Sequence, residues 1–135
     1  MICGDICPAT THNIIYQENW IKTEFVSWVK TLPFKEVWSK VILVPGNHDF
    51  FLERMSDVQK LEIEFMCEGR LKILKHDEYE FEYPVSDGID SLKIFGPPYC
   101  TIFGRWAFMV DNATLDKKFS QIDDDVEILL SHDSP

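Results

Sequence analysis

Val41-Ile42-Leu43-Val44-Pro45-Gly46-Asn47-His48-Asp49 decides how the rest of the chain is read. Val41–Val44 is a short, continuous apolar run with no polar alternation, which predicts a strand buried on both faces. Pro45-Gly46 ends it. The next three residues, Asn47, His48 and Asp49, are polar, and all can bind metal or move protons. A turn accounts for Gly46 and Asn47, but not for His48 beside Asp49. Polar residues in this place lie where open α/β sheets bind ligands, outside the carboxyl ends of the strands.

Reading outward, the same arrangement recurs. Upstream, Trp20, Ile21, Phe25, Trp28, Val29 and Leu32 return at helical spacing until Pro33 stops them. Before that helix, Met1-Ile2-Cys3 runs into the turn Gly4-Asp5. Downstream, Leu52, Met55, Val58, Leu61 and Phe65 predict a second helix that closes near Gly69. Leu71–Leu74, Tyr79–Tyr83 and Leu92–Phe95 are strand-like. Tyr79, Phe81 and Tyr83 alternate with Glu80 and Glu82, the period of a half-exposed strand. Gly88 predicts a turn. Trp106–Val110 reads as a further strand, 115–122 as a helix, and Asp123-Asp124-Asp125 as a solvated turn. Val126–Leu130 is the last strand and ends in Ser131-His132-Asp133. The order is that of an α/β chain, without internal repeat or linker.

Composition bounds the function. The chain has 135 residues, with 13 Lys+Arg against 23 Asp+Glu, a formal charge of −10. At 45% hydrophobic and 27% charged residues it is globular, and the length suits one domain. So acidic a chain is unsuited to non-specific nucleic-acid or acidic-membrane binding, which basic patches drive. A phosphate substrate stays open if metal ions supply positive charge. No apolar run is long enough to span a bilayer, and no signal peptide is visible. Cys3, Cys7, Cys67 and Cys100 lack zinc-ribbon spacing and read as buried thiols of a cytoplasmic protein. The first strand has three residues before its turn, and the last is followed by five residues. A central buried strand needs neighbours on both edges, so the expectation is part of a larger domain.

Three turns carry the chemistry: Gly4-Asp5, Gly46-Asn47-His48-Asp49 and His132-Asp133. Gly-Asp is a common turn dipeptide, and a lone histidine is more often a cap or a surface residue. All three motifs at successive strand ends favour a shared crevice instead. Their oxygen and nitrogen donors suit Mn, Fe or Zn.

On these residues the chain resembles the calcineurin-like metallophosphoesterases. That family has a Gly-Asp turn, a Gly-Asn-His-Asp/Glu turn and a later strand ending in His, in this order. Phe25–Pro33, Phe95-Gly96-Pro97-Pro98-Tyr99 and Trp106-Ala107-Phe108 are further similar to the MPPED-type branch. That branch has a Gly-Ser-Pro-Trp segment followed by Trp-Ala-Phe. It has Thr-His-Gly-Pro-Pro where this chain has Ser131-His132-Asp133-Ser134-Pro135. The resemblance implies a partial αββα sandwich, two mixed sheets flanked by helices. It expects the strands ending at Asp5, Val44 and Leu130 in one sheet, and the runs at 71–74, 79–83 and 92–95 as a connecting ladder or second sheet.

The resemblance also implies roles. Asp5 would bridge two metal ions, and Asn47 and His132 would be ligands of one of them. His48 would stand near the scissile phosphate, and Asp49 would orient it. The reaction implied is hydrolysis of a phosphomonoester or phosphodiester by two metals about 3.5–4 Å apart, with branch similarity favouring a diester such as a cyclic nucleotide. The family opens with Asp-x-His and closes with Gly-His-x-His, and residues 1–135 contain neither. The expectation is therefore a single incomplete domain that holds at most one divalent metal and hydrolyses little. The alternative is a catalytically silent short form that serves as a binding or assembly module.

Other residues read more plainly. His12, in the polar loop after Asp5, has two readings, a crevice-facing residue and the commoner solvent-exposed loop histidine, and His76 reads as a surface residue. Arg105 faces either a phosphate or a structural ion pair. Trp20, Phe25 and Trp28 form a helix's core face. Cys3 points into the sheet, and Cys7 is an uncommitted loop thiol.

Overall fold

The structure, a computed structural model, describes residues 1–34, 36 and 39–133. Ser134 and Pro135, part of the MPPED-type similarity, lie outside them. Three short strands, β1 (Ile2–Cys3), β2 (Val41–Val44) and β3 (Leu71–Ile73), form a parallel sheet in the order β1-β2-β3. Ile2 pairs with Leu43, and Val41 with Leu71. Parallel neighbours need crossovers, and helices supply them. Between β1 and β2 run α1 (Ile14–Trp20), a π-helical stretch (Ile21–Phe25) and α2 (Val26–Thr31). Between β2 and β3 run α3 (Phe50–Arg54) and α4 (Asp57–Met66).

All four residues of β2 are buried, and its pleat sorts them into two cores. Val41 and Leu43 join Leu71 and Ile73 against helix residues Ile21, Phe25, Val29, Phe51, Leu52 and Ile63. Ile42 and Val44 turn the other way and meet Leu74, Ile94 and Leu130. The second core belongs to a second sheet. Its strands β4 (Asp77–Val85) and β5 (Gly88–Gly96) form an antiparallel hairpin across the two-residue turn Ser86-Asp87. After the small parallel pair β6 (Cys100–Thr101) and β7 (Met109–Val110) and helix α5 (Asn112–Phe119), the chain returns as β8 (Ile128–Leu129), parallel to β5. The layers are thus helices, parallel sheet and mixed sheet.

The strand that ends at Leu130 therefore pairs in the second sheet, not beside β1 and β2 as expected. Conversely, the run at 71–74 belongs largely to the first sheet. The chain passes between sheets within three residues: Leu74 still donates its N–H to Leu43 of the first sheet, and His76 already donates to Gly96 of the second. The sheets approach so closely there that a Cβ on Gly96 would lie 2.3 Å from Leu74 Cβ.

Two helix faces also differ from expectation. The helix expected from Leu52 to Phe65 is two helices. Met55 is extended, and a capping box between Ser56 and Gln59 restarts the chain as α4. The restart changes the helical phase. Ile63 faces the core, while Val58, Leu61 and Phe65 are exposed. Trp28 is likewise half exposed, so the first helix buries Phe25 but not Trp28. The strand expected over 106–110 shrinks to Met109–Val110, because Trp106–Phe108 serves as a loop against Asn47. Among the described residues no helix is long and apolar enough to cross a membrane.

Candidate metal centre

The three turns identified in the sequence meet at one place, where the carboxyl ends of β1 and β2 in the first sheet face the end of β8 in the second. Gly4 and Asp5 both have left-handed backbones, φ +82° and +56°. Glycine adopts this without cost, and aspartate tolerates it better than most residues. The reversal turns Asp5 toward the second motif, where its Oδ1 accepts the His48 N–H at 2.9 Å. The turns touch through glycines. A Cβ on Gly4 would meet His132 Nδ1 at 2.3 Å, and one on Gly46 would meet Asp5 Oδ1 at 2.4 Å.

His132 comes from the other sheet and is fixed by both ring nitrogens. Its Nδ1 lies 2.8 Å from the Cys3 carbonyl oxygen. A carbonyl only accepts, so Nδ1 carries a proton. Nε2 faces inward, 3.0 Å from Asn47 Oδ1 and 3.6 Å from Asp5 Oδ1. In the neutral tautomer an imidazole lone pair, an amide oxygen and a carboxylate oxygen then converge. A cation among the three relieves that crowding, as does turning the Asn47 amide over to present its NH₂ to Nε2. The spacing fits a divalent ion: ligand atoms about 2.1 Å from a metal lie roughly 3.0–3.6 Å apart for angles of about 90–120°. Among the described residues no three His, Cys, Asp or Glu side chains gather as a metal cluster. The third donor here is the amide of Asn47.

Asp49 does something other than orient His48. It is fully buried, its Oδ1 accepts the Cys7 N–H at 2.9 Å, and its Oδ2 accepts the Gly46 N–H at 2.7 Å. It binds the first turn's loop to the second. Burial pushes its carboxyl above the ordinary range, and the two backbone N–H groups oppose that rise. Burial, with Asp49 beside it, also pushes the Cys7 thiol far up, so Cys7 is a committed, buried partner rather than a free loop thiol. Cys3 is exposed and contributes its carbonyl, not a side chain in the sheet.

The His48 ring is placed by aromatic contact. Its centre lies 4.5 Å from that of Trp106, and its buried Nδ1 has no hydrogen-bond partner among the described residues. The loop carrying Trp106 is tied to the site where Ala107 donates its N–H to the Asn47 carbonyl at 2.9 Å. His12 is exposed as expected, yet its ring packs on Phe50 at 4.5 Å and Trp106 at 5.1 Å. Gln17 is wholly buried in α1. Its amide donates to the carbonyls of Thr11 (3.2 Å) and His48 (2.9 Å) and accepts from Phe51 N–H (2.9 Å). A helix glutamine gives no sequence signal for this. Trp106 is visible in the sequence as part of a strand and of the Trp106-Ala107-Phe108 similarity, and neither places it against His48.

Arg105, expected at a phosphate or in an ion pair, is exposed. His76, expected at the surface, is half-buried: its ring lies edge-on against Phe95 and Tyr99, each at 5.2 Å, while its Nε2 meets Gln121 Oε1 at 3.3 Å on the exposed side. Against known proteins, no family model matches the chain and no curated protein matches it.

Proposed function

We propose that the chain carries the metal-binding half of a calcineurin-like metallophosphoesterase site within a partial αββα sandwich, and that it acts on phosphate esters. The observation that supports this reading is the meeting of Asp5 and Asn47 from one sheet with His132 from the other, with His48 alongside. A divalent ion of the Mn, Fe or Zn type held there would act as a Lewis acid toward a phosphoryl oxygen. Asp5 supplies the one fixed negative charge. Asn47 adds an oxygen without charge, so the site stays positive enough for an anionic ester. The Cys3 carbonyl keeps His132 in the tautomer whose Nε2 lone pair faces inward. His48 is fixed by its backbone N–H on Asp5 and its ring against Trp106. From there its imidazole can hold a phosphoryl oxygen or give a proton to the leaving oxygen.

Metal comes first in the test. Elemental analysis after gel filtration with Mn²⁺ at moderate salt is expected to give one ion per chain, lost in Asn47→Ala and His132→Ala. Chromogenic phosphomonoesters and phosphodiesters in excess Mn²⁺ then test chemistry in a chain extended by that family's Asp-x-His and Gly-His-x-His segments, since little hydrolysis is expected of residues 1–135 alone. Turnover of neither class above a His48→Ala control sinks the esterase reading. Stoichiometric metal without turnover favours the second reading, a silent binding or assembly module. One observation leans that way: among the described residues the buried Nδ1 of His48 has no hydrogen-bond partner, so no carboxylate orients the ring through that nitrogen.

A further inference from the structure

His12 and His48 are built as a pair. Their backbones are held by one side chain: the two N–H groups of the Gln17 amide go to the carbonyls of Thr11 and His48. Gln17 has no solvent exposure, so this clamp is part of the core, not a surface accident. Their rings are held by one partner as well. Trp106 lies 5.1 Å from His12 and 4.5 Å from His48, centre to centre. The two imidazoles end 6.4 Å apart. An imidazole centre lies about 4 Å from an oxygen its N–H binds, so two rings less than about 8 Å apart are close enough to share an oxygen on which their N–H groups converge. A tetrahedral anion, with several oxygens, is easier still to share. The loop's own hydrogen bonds stop at Thr11 and Asn13, and among the described residues none takes up the His12 ring nitrogens.

We infer that His12 is a second phosphoryl-contacting imidazole, which with His48 brackets the phosphate group of the ligand. This rests on the proposed function, since it assumes a phosphate at the Asp5–Asn47–His132 centre. It adds a residue from a loop that none of the three motifs includes.

The test uses the full chain with ¹⁵N-labelled histidine, Zn²⁺ and inorganic phosphate, read by long-range ¹H–¹⁵N NMR at fixed pH. Zn²⁺ is expected to move the His132 ring signals. Phosphate is then expected to move those of His12 and His48 with one shared saturation curve, leaving His76 still. His12→Phe keeps the packing on Phe50 and Trp106 but removes the nitrogens. It is expected to weaken phosphate about tenfold, the loss of one charge-assisted hydrogen bond, with Zn²⁺ affinity and Tm unchanged. If phosphate moves His48 alone, or binds His12→Phe as tightly as the parent, the inference is overturned and the proposed function stands. If Zn²⁺ leaves His132 unmoved and phosphate moves neither ring, both are overturned.

Discussion

Replacing Gly46 with alanine should separate the proposed metal ligands without changing any of them. The new Cβ would stand 2.4 Å from the Asp5 nitrogen, 2.4 Å from Asp5 Oδ1 and 2.9 Å from His132 Cε1. Comfortable contacts begin near ~3.5 Å, so Asp5 has to retreat by about 1 Å. Metal sites tolerate about 0.2 Å in ligand distance, and Asp5 Oδ1 already stands 3.6 Å from His132 Nε2. A retreat of that size removes the carboxylate from the shared site. Overpacking should cost about 1–3 kcal/mol, or about 4–12 °C in Tm at this chain length. Zn²⁺ affinity should fall about 10–100-fold. Gly69→Ala is the control. Its φ is +75° with nothing within 4 Å of the added Cβ, so it should cost about 1 kcal/mol of backbone strain and leave the metal alone. Thermal melts and competition with a chromogenic zinc chelator read both effects. A Gly46→Ala chain that binds Zn²⁺ like its parent would refute the claim that this glycine lets the ligands meet.

Gln17→Leu keeps the volume but strands two carbonyls and the Phe51 N–H, so it should cost about 2–4 kcal/mol and lower Tm by about 8–16 °C. Thiol titration of the native chain should show one fast cysteine, Cys3. Cys7, Cys67 and Cys100 are buried, with Cys67 and Cys100 each pushed up to about 11, and should react only on unfolding; more than one fast thiol would contradict the packing. Burial lowers the folded pKa of His76, so the unfolded chain binds this proton more readily. His76 therefore destabilises the fold as pH falls below its ordinary value of 6.5, and the cost is complete below its folded value. Melts from pH 7.5 to 5 should drop less steeply for His76→Gln; equal slopes would remove His76 from the acid limb.

The sequence by itself determined what is local. The unbroken run Val41–Val44 specified a buried strand, the Tyr79–Tyr83 alternation a half-exposed one, and Pro33 the end of the first helix. The residue types of the three turns marked the polar groups that meet in a single crevice, because strand ends and turn chemistry are set by a few neighbours. Tertiary structure decided whatever depends on partners far along the chain. β8 could have joined either sheet by its own pattern; the placement of β5 beside it put His132 across a seam rather than along an edge. The capping box at Ser56 rotated Val58, Leu61 and Phe65 out to solvent, although their spacing alone fits a core face. Asp49 follows His48 directly, yet its acceptors were claimed by the Gly46 and Cys7 N–H groups, because two buried backbone N–H groups left unpaired cost more than one unpaired imidazole nitrogen. Gln17 and His12 acquired their places only when helix, loop and Trp106 closed over one another, an arrangement of three distant segments that no window of sequence contains.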